Sequence, residues 1–467
     1  MKHIFLRVYS SFLSLTLSYL IVIFIFSSCQ KEFLEKKPDR SQLVPKSVAD
    51  FQALLDQSMF YRGPAVQEIS SDDFTISDQG ILALEEMEVM AYTWSPNLFI
   101  NRSFVDDWDL CYRQIFVANV ILEGVEAIQS AERDGIDYNS VKGNALFQRA
   151  FAYYNLAQLF AAPYDTINAA SLPGIPIRPV PDINARYPRG TIQQTYDQIL
   201  NDVAAALVLL PDQVGYKHRP SKTAALAFLA RIYLTMGNYT KAAIYADQTL
   251  KTKNALLDYN QIKGSATARI MPSALPNGNA EVILFKGSIN YLFPTSTALA
   301  NVLPELYQSY DKDDLRKTLF FRDRGNGVFT FRGGYGGNIE ASIFTGLATD
   351  EIYLIRAECA ARNGDVNLAL SDLNHLLQTR WVTGRFLPYT STNAEDVLRI
   401  ILKERRKELI CRGSRWTDLR RLNLESRFAI PITRTVNGKS YQLLPNENRY
   451  TFPLPDYEVN TGLAQNP

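Results

Sequence analysis

Small and apolar residues recur at helical spacing through the stretch TAALAFLARIYLTMGNYTKAAIYADQTL, Thr223 to Leu250. Ala227, Ala230 and Tyr233 lead up to Gly237, and past Gly237-Asn238-Tyr239 the pattern resumes at Ala242, Ala243, Ala246 and Leu250. A period of about 3.6 residues on both sides of a Gly-Asn break predicts two antiparallel helices. Alanines on the facing sides let the helices approach closely, and the glycine supplies the positive φ of the turn. The pattern returns in EIYLIRAECAARNGDVNLALSDLNHLLQTR, where Ala357, Gly364 and Ala369 repeat the spacing of Ala230, Gly237 and Ala242. A weaker copy begins at QRAFAYYNLAQLF, with Ala150, Tyr153 and Ala157. Its partner helix, TYDQILNDVAAALVLLP, lies beyond a Pro-rich insertion.

Such hairpins resemble tetratricopeptide repeats, helix pairs that cannot bury their apolar faces alone and therefore stack. An unrelated set of amphipathic helices would not place Ala, Gly and Ala in the same order at two distant sites. Val48 to Gln57 reads as a further amphipathic helix, with Phe51, Leu54 and Leu55 apolar. The chain is helical again from Trp108 to Ser130 and from about Val141 to Phe160. Ala162 to Gly190 holds six prolines and two glycines without a period, which predicts extended loop. It is too long for a mere connector and is expected to cover part of the scaffold. Leu257 to Gly346 also loses the helical period. It carries one β-like run at Glu281 to Phe285 and a short strand at Val328 to Arg332. Insertions between repeat hairpins are where binding surfaces hang on solenoids. From Ala394 an apolar stripe of Val397, Leu398, Ile401 and Leu402 precedes the run Lys403 to Glu408. Glu404 and Glu408 among these bases point to ion pairs that lock the helix in place, not to nucleic-acid contact. The fold class is thus mainly α: a tetratricopeptide-like α-α superhelical scaffold with a loop-rich irregular region and a few short strands.

Length and charge narrow this further. A chain of 467 residues exceeds one compact core, so one elaborated domain or two are expected. An apolar content of 46% with 21% charged residues is that of a globular protein. Lys2 and Arg7 precede Cys29 with no acid beside them, and without those two, 47 basic residues face 48 acidic ones, a net of −1. Near-neutrality argues against an extended nucleic-acid surface. The cysteines, Cys29, Cys111, Cys359 and Cys411, form no CxxC pair, so zinc and thioredoxin chemistry have no support. Cys111 and Cys359 sit in helical apolar patterns and read as small core residues.

The basic start is followed by the uncharged run SSFLSLTLSYLIVIFIFSSC. Basic start, apolar middle and small residues before a cut site describe an export signal. Ser27-Ser28-Cys29 resembles a bacterial lipoprotein cleavage site, after which Cys29 carries acyl chains that hold the protein at a membrane. An uncleaved transmembrane anchor is the competing reading.

Candidate binding chemistry lies in the loops. MAYTWSPNLFINRSFVDDW is the most aromatic polar stretch, with Tyr92, Trp94, Phe99, Phe104 and Trp108. An aromatic face stacks on the C–H face of a pyranose, and polar neighbours such as Asn97, Asn101 and Asp106 can take its hydroxyls. Trp108, at the head of a helix, reads instead as a core anchor. In the insertion, Tyr291, Phe293, Phe331 and Tyr335 are further stacking candidates. The ligand-binding set expected from sequence is Tyr92, Trp94, Phe99, Tyr291, Phe293 and Tyr335. Asp72-Asp73, in a Ser/Asp cluster, fits a cap or turn better than a metal site, since no EF-hand spacing follows. No cofactor is expected. The Gly-rich GNGVFTFRGGYGGNI has no Lys-Ser/Thr after its glycines and is no phosphate cradle. Neither GxSxG nor HExxH occurs, and the chain past Cys29 has only His218 and His375. Adjacent acids such as Asp72-Asp73 and Asp106-Asp107 point apart on most backbones, so a glycosidase pair is not readable here.

Several stretches together resemble the SusD/RagB family. CQKEFLEKKPD is similar to its opening, and WDLCYRQIFVANVILEGVEAI to its first long helix. RAFAYYNLAQLFAAPYD is similar to its next helix, KERRKELICRGSRWTDLRRL to its late signature, and FPLPDYEVNTGLAQNP to its closing segment. The matches run in family order, with two departures: Arg412, where an acidic residue usually precedes the glycine, and Asn466-Pro467, where Gly-Tyr is common. The resemblance implies a lipoprotein of the outer membrane that faces the cell exterior and is not an enzyme. It implies four repeat-like helix pairs under a loop-rich layer that binds nutrient, oligosaccharide or glycan before peptide. The implied partner is a TonB-dependent SusC-like transporter. An adaptor that holds a peptide tail in its repeats is the remaining alternative. Residues 1–28 are then the signal peptide, 29–47 a tether, and 48–467 one domain with loop insertions near 58–107, 162–190 and 257–346.

Overall fold

Ser47 caps the first helix of the described residues. Its hydroxyl accepts from the Asp50 N–H at 3.2 Å, and the Asp50 carboxylate accepts from the Ser47 N–H at 3.0 Å. This reciprocal cap opens α1, Val48–Leu55, which buries Phe51 and Leu55. The structure, a computed structural model, describes residues 45–128, 136–263, 271–275, 278–295, 299–336 and 342–466. Cys29, the leader before it and the tether up to residue 44 lie outside the described residues.

After α2, Glu86–Tyr92, the long helices follow in sequence order. They are α3, Asp106–Glu126; α4, Ile136–Phe160; α5, Ile192–Leu209; α6, Lys222–Thr235; and α7, Tyr239–Thr252. Past the insertion come α8, Thr349–Arg362; α9, Val366–Gln378; α10, Ala394–Glu408; and α11, Arg415–Leu422. From α3 to α7 each helix packs on its successor, α7 packs on α8, and α8 packs on both α9 and α10. This is the expected array of stacked hairpins. The residues from Ser47 on pack as one unit.

The two hairpins that share a sequence pattern also share their turn chemistry. Gly237 and Gly364 have φ of +70° and +83°. The next N–H reaches back into the first helix, Asn238 to the Tyr233 carbonyl and Asp365 to the Ala360 carbonyl, both at 2.9 Å. The Asn238 and Asp365 side chains then cap the second helix by accepting from the Lys241 and Leu368 N–H groups. One residue thus closes a helix and opens the next. Ala230, Ala242, Ala357 and Ala369 are all fully buried on the facing sides.

The insertion contains the expected strands, at Val282–Leu284 and Phe329–Phe331. The first pairs antiparallel with Leu347–Ala348, the second with Phe321–Asp323. Two more strand pairs stitch the insertion to the start of the chain: Gly287–Ser288 runs parallel to Arg62–Gly63, and Asn301–Val302 antiparallel to Phe74–Thr75. The Pro-rich loop folds back as Pro173–Pro176 against Arg189–Thr191 and lies on α4 and α5. A C-terminal hairpin, Ile432–Val436 with Lys439–Leu443, was not among the expected elements. Asn437 and Gly438 form its turn with φ of +49° and +74°, the geometry of a two-residue primed turn.

Buried ion pairs join insertion, scaffold and late helices. Arg316 of the insertion lies 2.7 Å from Asp314, 2.6 Å from Glu404 and 3.0 Å from Glu408. Arg380, just past α9, lies 2.7 Å from both Glu281 and Glu408. Arg316 and Arg380 have no exposed surface. Glu404 and Glu408 therefore reach across to other elements, which explains the acids in a basic helix. Asp72 is gripped by Arg415 at 2.6 Å and Arg406 at 3.0 Å, and Asp73 by Arg406 at 2.9 Å. Burial pushes the Asp72 carboxyl up, but Arg415 and Arg406 outweigh it and hold the group below the usual carboxylate range. The Ser/Asp cluster is neither a helix cap nor a metal site but an anchor for the late helices. Arg412, one of the two departures from the family pattern, pairs with Asp350 at 2.9 Å. Cys111 and Cys359 are buried thiols in the core positions expected of them, and Cys411 is buried as well.

Candidate functional site

Of the six rings expected to stack on a ligand, five are buried and one is half-buried. Arg434 explains two of them. Its guanidinium lies 3.9 Å from the centre of the Tyr92 ring and 4.6 Å from that of Trp94. The same guanidinium donates to the Ile69, Ser71 and Tyr92 carbonyls. Phe293 is sealed edge-on between Phe74 and Tyr92. Tyr335 lies under Arg412, its hydroxyl 2.5 Å from Glu281 and 3.1 Å from Asp350. Tyr291 is half-buried and donates to Asp107 at 2.5 Å, and burial followed by the Asp107 charge pushes its hydroxyl far above the ordinary range. Tyr92, Tyr291, Phe293 and Tyr335 are thus packing and hydrogen-bonding groups of the core. For the three tyrosines the reason is common: charged groups of other elements claim their faces or hydroxyls, whereas Phe293 is covered by the Phe74 and Tyr92 rings. Trp108 is buried as expected and donates to Glu458 at 2.9 Å.

Trp94 and Phe99 are the two that meet at a hollow. They form its floor with Leu98, Phe452 and Leu454, in a cleft of about 300 Å³. That is near the lower bound for small-molecule sites. One wall is the loop 95–100 and the other is the C-terminal segment Asn448 to Asn466. Trp94 adopts φ of +54°, rare for a bulky side chain, and is held there by its indole N–H, which donates to the Ser70 carbonyl at 2.9 Å. Asn101, at φ +57°, donates its N–H to Asp456 at 3.0 Å and so ties the two walls together.

The C-terminal wall is braced from within. The Gln465 side chain makes two hydrogen bonds to the Leu454 backbone, at 2.6 and 2.9 Å. Asn466 donates to the Phe452 carbonyl at 2.6 Å and to the Phe160 carbonyl at 3.1 Å. The Arg449 guanidinium is held by Glu447. On the rim, the Asn97 and Asn448 carboxamides are exposed, one on each wall. Each offers donors and an acceptor. The arrangement, an apolar floor under a rim of amides, suits a small ligand with one apolar face and hydroxyls at its edge. Among the described residues, Asp456 is the single carboxylate lining the cleft, and glycoside hydrolysis by the usual route needs two.

Asn448, Asp456 and Gln465 were not anticipated. The closing segment FPLPDYEVNTGLAQNP lacks a helical or strand period, so nothing in its pattern marks it as a wall. Among the described residues no group of three or more His, Cys, Asp or Glu could hold a metal ion, and no helix is long and apolar enough to cross a membrane.

Two family profiles match this sequence. One, described as starch-binding associating with outer membrane, covers residues 32–234; the other, the SusD family, covers residues 349–467. A curated relative, SusD-like protein P2 of Formosa agariphila, is 26% identical over 448 residues, which is 84% of this chain and 85% of the relative. Among solved structures, a putative sugar binding protein from Bacteroides vulgatus superposes with a TM-score of 0.72 at 20% identity, over 91% of this chain and 99% of that one. A SusD superfamily protein from Bacteroides thetaiotaomicron gives 0.70 at 22% identity, over 90% and 100% of the two chains.

Proposed function

This chain belongs to the SusD/RagB family, and we propose that it captures oligosaccharide at the cell surface and passes it to a SusC-like TonB-dependent transporter without altering it. The family is one of outer-membrane-associated, sugar-binding proteins. The single observation that supports a sugar reading for this chain is the cleft lined by Trp94, Leu98, Phe99 and Phe452, an apolar hollow with amide side chains at its rim. Sugars present that combination, a C–H face and a hydroxyl edge. A lipid anchor on Cys29 would hold the domain at the membrane through residues 29–47, and the Ser27-Ser28-Cys29 sequence supports it.

The test is calorimetry on a soluble chain beginning near Asp39, titrated with neutral hexasaccharides of glucose, xylose and mannose and with a tetrapeptide panel. One glycan class should bind without turnover. Asn97→Ala and Asn448→Ala should each weaken it about threefold to tenfold. Binding of peptides alone would replace the sugar reading, and any hydrolysis of the bound glycan would overturn the non-catalytic one. Cys29→Ala should release the full-length protein from membranes.

A further inference from the structure

Phe104 is the one ring of its aromatic stretch that stays exposed, at 45%. Tyr92, Trp94, Phe99 and Trp108 of the same stretch are all buried. Phe104, just past the loop that walls the Trp94 cleft, lines a second hollow of about 270 Å³. This hollow lies between the first turns of α3 and the Pro-rich loop, and Phe116, Arg113 and Ile183 also line it.

Its floor is pre-set. Arg178 of the Pro-rich loop covers the Tyr112 ring at 4.2 Å and is held by Glu458 at 3.2 Å. The backbone of Arg178 is fixed as well: its N–H donates to the Tyr153 hydroxyl at 2.9 Å and its carbonyl accepts from Asn119 at 2.7 Å. Asp109 is also committed, accepting from the Tyr457 hydroxyl at 2.6 Å. The rim is different. Arg113 is exposed on the solvent side of α3, its guanidinium 5.9 Å from the centre of the Phe104 ring, and Ile183 is 82% exposed. A rigid base thus carries an open aromatic ring with a forked donor beside it. An open ring face attracts polarised C–H groups, and a guanidinium donates in-plane to neighbouring hydroxyls.

We propose that the Phe104 cleft is a second sugar-binding site, one that seats a pyranose face on Phe104 with its hydroxyls at Arg113. The proposal rests on the sugar reading of the first cleft for its ligand class, but on separate residues for its site. A glycan long enough to engage both clefts would gain from effective concentration without any new contact.

The experiment is saturation-transfer NMR and calorimetry with the hexasaccharide and the disaccharide of whichever sugar binds in the panel above. The chains compared are wild type, Phe104→Ala, Arg113→Met and Asn448→Ala. Two sites predict two disaccharides per chain in the wild type, one in Phe104→Ala, and two in Asn448→Ala with one of them weakened about threefold to tenfold. Arg113→Met should keep the second site but weaken it about tenfold. The half-exposed position of Phe104 leaves folding unchanged, which circular dichroism checks. One disaccharide per chain, weakened in Asn448→Ala and untouched by Phe104→Ala, would overturn this proposal and leave the first cleft standing. One disaccharide per chain lost only in Phe104→Ala would overturn the first cleft and support this one. No saturation transfer from the wild type to any panel member would overturn both.

Discussion

The repeat hairpins and the insertion between them are held by different physics. The turns of α6–α7 and α8–α9 are closed by short-range contacts: alanine faces, a glycine turn and a cap a few residues away. The Arg231–Glu351 ion pair joins one hairpin to the next. In the insertion the contacts are long-range and ionic. Arg316 meets Glu404 from 88 residues away, and Arg380 meets Glu281 from 99. A hairpin's turn and caps are specified within its own residues, whereas the insertion takes its shape from partners distant in sequence. Local patterns therefore build the platform, and charges buried at a distance decide what stands on it.

The ionic half should show the largest effect. Arg380→Met strands Glu281 and Glu408 in a dry interior and should cost about 3–5 kcal/mol in urea unfolding. Near-zero loss would place the insertion's stability in its apolar contacts.

Second is a pH effect on the same side of the comparison. Glu68 is buried and accepts from the Gly413 N–H; burial, then the nearby Asp73, raise its carboxyl to about 8. The folded chain therefore keeps a proton there that the unfolded chain releases near the ordinary value. The contribution is complete in acid and is lost as pH climbs towards 8. Wild type should lose roughly 2–4 kcal/mol between pH 5 and pH 8 from this group, and Glu68→Gln should flatten that part of the slope. Lys286 acts in the opposite sense. It is buried, lies 2.5 Å from both the Phe60 carbonyl and the Gln148 side chain, and burial lowers its ammonium to about 7. Its cost is relieved only above pH 7, so between pH 5 and 7 Lys286 does not offset the Glu68 effect.

The hairpins come next. Ala230→Leu or Ala357→Leu overfills a closed face and should cost about 1–3 kcal/mol. Smallest is Gly237→Ala or Gly364→Ala, at about 1 kcal/mol. A methyl group meets nothing within 4 Å at either position, so only the positive φ resists it. If these exchanges exceed Arg380→Met, the comparison is inverted.

The same division decides what could be read in the sequence. Hairpins, turn glycines and the short strands were legible because each signal is contained in a few neighbouring residues. The Asn437-Gly438 turn is equally local and is a strong hairpin signal; a reading built on helical period passes over it. The rings were misassigned because aromatic residues in a polar loop look exposed until Arg434 arrives, 342 residues after Tyr92. The C-terminal wall of the Trp94 cleft was invisible for the same reason. Only Trp94 and Phe99 of the six expected residues line a hollow, and Phe104, named in the stretch but left out of the set, is the one left open.

Arg434 makes the fold its own length check. Its guanidinium supplies donors to the carbonyls of Ile69, Ser71 and Tyr92, all near the start of the chain. A copy cut short before that residue leaves those oxygens stranded and the two aromatic faces bare, with nothing earlier in the sequence to substitute. An incomplete product would therefore fail to close at its beginning, where proteases can reach it, and only full-length molecules would persist.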